Sequence, residues 1–135
     1  MLARMIPTKA HAGMDYLVAL LLIAAPWLFG FADETTAGTW IAVLAGIAVL
    51  ALSAITNYEG GFLARAVTMR MHLVTDAIMG IFLAISPWLF GFADNGVNSW
   101  LPFVLIGASE LLAAGTTNPF PGVRSMRSRE AARAA

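Results

Sequence analysis

His11 and Asp15 stand four residues apart, and His72 and Asp76 repeat the pair 61 positions later. A spacing of four puts both side chains on one helix face, within reach of each other. Imidazole and carboxylate together support three kinds of chemistry. They can hydrogen-bond into a polar cluster that pins helices. They can relay protons or ions, as intramembrane ionisable groups often do. They can hold a metal or a haem, with His11 and His72 as opposed ligands. Two histidines without further ligand spacing are a weak cofactor pattern, so the pairs are read as a polar cluster without a cofactor.

Glu110 joins this set as the most unusual single residue. Its counterpart 60 or 61 positions earlier is Leu50 or Val49, so it breaks the repetition. A carboxylate in an apolar segment is costly unless it is paired or protonated. It is expected to face the interior, with Ser109 adjacent and Tyr16 or Ser53 approaching from other helices. A neutral, hydrogen-bonded carboxyl is the first reading, and a transport or binding role the second.

Other chemistries are excluded or unsupported. The chain has no cysteine, which removes disulfides, thiol redox chemistry and cysteine-ligated metals. It shows no phosphate-cradling glycine loop and no nucleophile with a placed base. A non-enzymatic role is the expectation. The basic residues are too few for nucleic-acid binding.

The elements that must position these residues are membrane spans. Hydrophobic residues make up 59% of the 135 positions and charged residues 12%, against roughly a quarter charged in a soluble domain. A spanning helix needs about 20 largely apolar residues. Four segments qualify, near 12–32, 39–56, 71–93 and 99–116. The fold class expected is an all-α membrane protein, a single domain of four transmembrane helices.

The repetition extends well beyond the two pairs. The octapeptide PWLFGFAD occupies 26–33 and again 87–94, Trp40 recurs as Trp100, and Thr56-Asn57 recurs as Thr117-Asn118. Repeat one runs over about 11–57 and repeat two over about 72–118. Two helices per unit give both units the same orientation, a parallel duplication with a pseudo-twofold along the membrane normal. The motif in the middle of the chain also marks the first apolar segment as a retained helix rather than a signal.

Within the motif, Pro26 and Pro87 are expected to loosen their helices and free the carbonyls of Leu22 and Leu83. Ser86 is placed to bond back into its own helix. Trp27, Phe29 and Phe31, with Trp88, Phe90 and Phe92, read as an aromatic collar at the interface. Gly30 and Gly91 permit a turn or close packing. A ligand platform built on these collars is the alternative to a helix terminator used twice. Ala42-xxx-Gly46, Gly80-xxx-Ala84 and Ser109-xxx-Ala113 offer small-residue packing seams.

Charge supplies an orientation. All eight basic residues fall in the N-terminal segment, the 57–70 loop or the C-terminal tail, while the loops near 33–38 and 94–99 hold only Asp33, Glu34 and Asp94. The positive-inside rule then places both termini in the cytoplasm. The basic tail at 119–135 suits contact with anionic headgroups, and 62–70 is expected to lie along the membrane surface.

Ser86-Pro87-Trp88 followed by Leu-Phe-Gly-Phe resembles the SPW repeat family of small bacterial membrane proteins, over about 11–118. The first copy departs from the pattern, reading Ala25-Pro26-Trp27. The resemblance implies a bacterial inner-membrane location and no established activity. The function expected is a structural or interaction component of that membrane, as a small subunit of a larger complex or a self-associating one. A minimal ion, proton or small-molecule transporter or channel using Glu110 and the His-Asp pairs is the runner-up, and a haem-binding electron carrier the third reading.

Overall fold

The computed structural model describes residues 4–120 and 133–134. Arg124, Arg127 and Arg129 of the basic tail lie outside the described residues. Four α-helices follow in order: α1, Thr8–Leu28; α2, Thr36–Ile55; α3, Met69–Leu89; and α4, Val97–Thr116. All four are long and apolar enough to cross a membrane. Their outward surfaces carry exposed Leu17, Leu20, Ile78, Ile81, Ile85, Leu105 and Leu112. Polar neighbours would strand such side chains; lipid accommodates them.

α1 starts and ends four residues earlier than its apolar segment suggested, and α3 starts two and ends four residues earlier. Pro7 stands at the head of α1 without a side-chain cap, a threonine caps α3, and glycine ends both. Thr68 accepts a hydrogen bond from the Met71 N–H at the head of α3, and Thr35 accepts from the Gly38 N–H at the head of α2. Gly30 (φ 75°) and Gly91 (φ 72°) then take the left-handed conformation that ends a helix.

This explains the doubled octapeptide. Pro87 lies within the last turn of α3, and its carbonyl accepts the Phe92 N–H at 2.8 Å, closing a Schellman turn around Gly91. In the first copy the Ala32 N–H bonds the Pro26 carbonyl at 3.0 Å. The turn throws Phe31 and Phe92 inward, where both are fully buried against Phe103, with ring centroids 5.5 and 5.1 Å away. The expected collar is therefore corrected. Trp27, Trp88, Phe29 and Phe90 stay on the surface, but Phe31 and Phe92 close the end of the core. Ser86 donates to the Leu83 carbonyl at 2.8 Å, satisfying one group that Pro87 frees.

α1 packs along α2, and α3 along α4, as antiparallel pairs. Each pair meets through glycine. A Cβ on Gly46 would stand 2.7 Å from the Ala19 carbonyl oxygen, and one on Gly107 would strike the Gly80 carbonyl oxygen and come 2.8 Å from the Ala84 nitrogen. Both contacts repeat with the offset of 61. Ser109, proposed as part of a seam, is exposed; Gly107 occupies that role.

The two pairs exchange backbone at the end opposite the octapeptides. The Ile6 N–H donates to Thr116 and the Asn118 N–H donates to Ile6, at 3.1 and 3.0 Å. The equivalents 61 residues away, Val67 N–H to Ile55 and Asn57 N–H to Val67, measure 3.2 and 2.8 Å. Each half thus ends against the residue that leads into the other half's first helix. This bridge ties down the loop that leads into α3.

Candidate functional site: a buried histidine–aspartate quartet

The backbone exchange brings the first turns of α1 and α3 together. His11, Asp15, His72 and Asp76 meet there, each no more than 2% exposed. The His11 Nε2 lies 3.0 Å from Asp76 Oδ2 and 3.2 Å from Asp15 Oδ1. The His72 Nε2 lies 3.1 Å from Asp15 Oδ2 and 3.1 Å from Asp76 Oδ2. Each imidazole thus touches the carboxylate of its own helix and that of the other. The two rings pack edge to face, with centroids 5.4 Å apart.

Two threonines fix the proton on each ring. The Thr56 hydroxyl donates to the Leu52 carbonyl at 2.7 Å, so its oxygen is left to accept. It sits 2.7 Å from His72 Nδ1, which must therefore carry the hydrogen. The Thr117 hydroxyl likewise donates to the Ala113 carbonyl at 2.6 Å and accepts from His11 Nδ1 at 2.9 Å. Thr56 belongs to the first half and His72 to the second; Thr117 and His11 reverse this. Both Nδ1 atoms are donors, and both Nε2 atoms point into the quartet.

The two aspartates are not equivalent. Tyr58 donates to Asp15 Oδ2 at 2.8 Å and Ser53 donates to the same oxygen at 3.2 Å. Burial raises the Tyr58 hydroxyl above its usual range, which keeps it a donor. The positions 61 later are Pro119 and Ala114, so Asp76 has no such partners. The 57–61 loop folds beneath α1 to deliver Tyr58. It is held by Thr8 donating to Glu59 at 2.6 Å and Tyr16 donating to the Gly60 carbonyl at 2.6 Å. In the second half the chain leaves at Pro119, and an open groove of about 510 Å³ remains, lined by Arg4, Arg70, Leu73, Val74 and Leu111.

Glu110 stands apart from the quartet's hydrogen bonds. It is 3% exposed, and its Oε2 has no hydrogen-bond partner among the described residues. Tyr16 and Ser53, expected near it, are engaged with Gly60 and Asp15 instead. Gly80, one turn beyond Asp76 on α3, makes room for it: a Cβ on Gly80 would come 3.1 Å from the Glu110 Cβ.

At the opposite end, Glu34 joins the halves. Its carboxylate accepts from Asn98 Nδ2 at 3.0 Å and Ser99 Oγ at 2.9 Å, at the head of α4. An anion there also suits the helix dipole.

A haem between His11 and His72 would need the rings on opposite faces of a macrocycle. Here they meet edge to face with carboxylate oxygens already against each Nε2. The quartet's donor set is instead of a size for a single ion or for direct hydrogen bonding.

The model of the SPW repeat domain matches residues 9–117. The chain belongs to the SPW repeat family. The matched span begins two residues before His11 and ends on Thr117, so it contains every residue of the quartet and its threonine supports. With four spanning helices, this SPW repeat protein is a multi-pass membrane protein. No curated protein and no solved structure matches it.

Proposed function

We propose that this SPW repeat protein is a non-enzymatic structural or interaction component of the bacterial inner membrane, a subunit whose two halves are clamped by the quartet. The observation that carries this reading is the closure of the site. All four side chains are buried, and each half supplies the threonine that orients the other half's histidine. A catalytic centre needs access for a substrate; a clamp does not. Membrane lipids and other membrane subunits, or a second copy, are its partners, and nucleic acid is not. The groove beside Arg4 and Arg70 suits an anionic headgroup above an acyl chain.

Both termini face the cytoplasm in this reading. Arg4, Lys9, Arg65 and Arg70 lie at the quartet end, while Asp33, Glu34 and Asp94 lie at the other. Single cysteines at the exposed Thr36 and Asp94 should therefore react with an impermeant thiol reagent on intact spheroplasts. Labelling only after lysis would reverse the orientation.

Transport is the second reading, favoured by the buried Glu110 Oε2, which lacks a hydrogen-bond partner among the described residues and belongs to a side chain packed against Gly80 of α3. Glu110→Gln separates the two. In a structural subunit it leaves thermal stability and co-purifying partners unchanged, whereas Glu110→Leu weakens both. In a proton or ion carrier, Gln abolishes flux into liposomes while the fold stays intact. A wild-type flux lost in a well-folded Gln variant would replace the structural reading.

A further inference from the structure

We infer that the quartet is a structural binding site for one divalent transition-metal ion, with His11 Nε2, His72 Nε2 and one carboxylate oxygen each from Asp15 and Asp76 as ligands. The inference deepens the clamp reading, since the ion would be the clamp's centre.

The four donor atoms lie within 4.8 Å of one another. Tetrahedral zinc with bonds of about 2.0–2.1 Å places its ligands about 3.3 Å apart. The imidazole–carboxylate separations here are 3.0–3.2 Å, with Asp15 meeting the two rings through different oxygens, so an ion would part these close pairs slightly and draw in the wider ones, none beyond 4.8 Å.

Three further features point to an ion. The first is tautomeric. Thr56 and Thr117 each hold a hydrogen on Nδ1, so each neutral ring would turn its Nε2 lone pair to the ion, which at His11 would replace the hydrogen bond made to Asp76 Oδ2 at 3.0 Å. Such an outer-shell hydrogen bond is the usual companion of a metal-bound histidine. The second is an unspent atom. His72 Nε2 is buried with carboxylates at 3.1 Å on two sides, yet neither lies in line for a hydrogen bond. The third is charge. Two carboxylates and two neutral imidazoles sum to two negative charges, which a dication cancels, leaving a neutral assembly to be buried.

The donor chemistry selects the class of ion. Two imidazoles and two carboxylates suit zinc or a neighbouring first-row dication; magnesium and calcium prefer six or more oxygens. Four protein ligands leave no open position, which marks a structural rather than a catalytic centre. Since the site is closed to solvent, loading accompanies folding into the membrane.

The test is metal binding by the full chain in detergent. Purified wild-type protein, stripped with a chelator during partial unfolding and refolded, is titrated with Zn²⁺ and separately with Co²⁺. The expected result is one ion per chain, a Co²⁺ visible spectrum of tetrahedral type, and a raised thermal midpoint. His72→Gln should weaken Zn²⁺ binding about 100-fold or more. The double variant Thr56→Val, Thr117→Val, which keeps all four ligands, should weaken it about 10- to 100-fold. Absence of binding by helical wild-type protein would overturn the site. So would several weakly bound ions whose uptake does not depend on His72. If no ion binds and Asp15→Leu still lowers the melting point, the metal falls and the clamp stands.

Discussion

Asp15→Leu should cost about 4 kcal/mol of stability in detergent, more than Asp76→Leu at about 2–3 kcal/mol. Removing one partner from a buried ionic network costs about 3–5 kcal/mol, because the remaining groups are left buried and unpaired. Single interhelical hydrogen bonds in membranes are weaker, averaging about 0.6 kcal/mol, so the number of groups stranded decides the order. Asp15 serves His11, His72, Ser53 and Tyr58, whereas among the described residues Asp76 serves the two histidines alone. Asp33→Ala, an exposed loop change, should stay within about 0.5 kcal/mol of wild type. Equilibrium denaturation followed by circular dichroism reads all three. Equal midpoints would rule out the clamp; a larger loss for Asp76 would mean that the Tyr58 and Ser53 bonds contribute little.

The second large effect is steric. Gly107→Ala should destabilise the protein by about 2–3 kcal/mol, the upper part of the range of about 1–3 kcal/mol for overpacking a tight interior. The new methyl group meets backbone: the Gly80 carbonyl oxygen and the Ala84 nitrogen, the latter 2.8 Å away. Neither can rotate aside, so α3 and α4 must separate. Gly13→Ala offers the opposite sign. It lies in α1 with no atom within 4 Å of the added carbon. There the helix preference of alanine over glycine should stabilise by about 0.5–1 kcal/mol. Two substitutions of the same chemistry with opposite signs would show that contact, not propensity, is being measured. A Gly107→Ala protein as stable as wild type would mean that the helices are not held this closely.

Four helices and their pairing follow from apolar length and the offset of 61. The His-Asp pairs were visible because a spacing of four on a helix is a local pattern. Their threonine partners were not. Thr56 and Thr117 stood out as repeated residues, but His72 and His11 lie 16 and 106 positions away from them, and the bonds cross between halves. No periodicity encodes such a contact. The aromatic residues of the octapeptide divide between core and surface at Gly30 and Gly91, and only the turn geometry shows which way Phe31 and Phe92 swing. Gly46 and Gly107 did carry a signal, the same offset of 61, which the small-xxx-small spacing of Ser109 and Ala113 obscured. Tyr58 had none: it sits in a loop, and its counterpart is a proline.

The crossed threonine–histidine and backbone bonds have a consequence for how such a chain is built. Every bond in that exchange occurs twice, related by the same operation, as at the isologous interface of a symmetric dimer. A half-length chain carrying one His, one Asp and one Thr could close the same ring with a second copy of itself. Joining the copies adds one freedom that a homodimer lacks: a residue can change on one side only. Tyr58 and Ser53 against Asp15, and Glu110 opposite Val49, are changes of that kind. Tyr58 and Ser53 bear on the seam, where Asp15 meets His72, while Glu110 packs against Gly80 within the second half, so a single chain gives the twofold interface a distinct left and right.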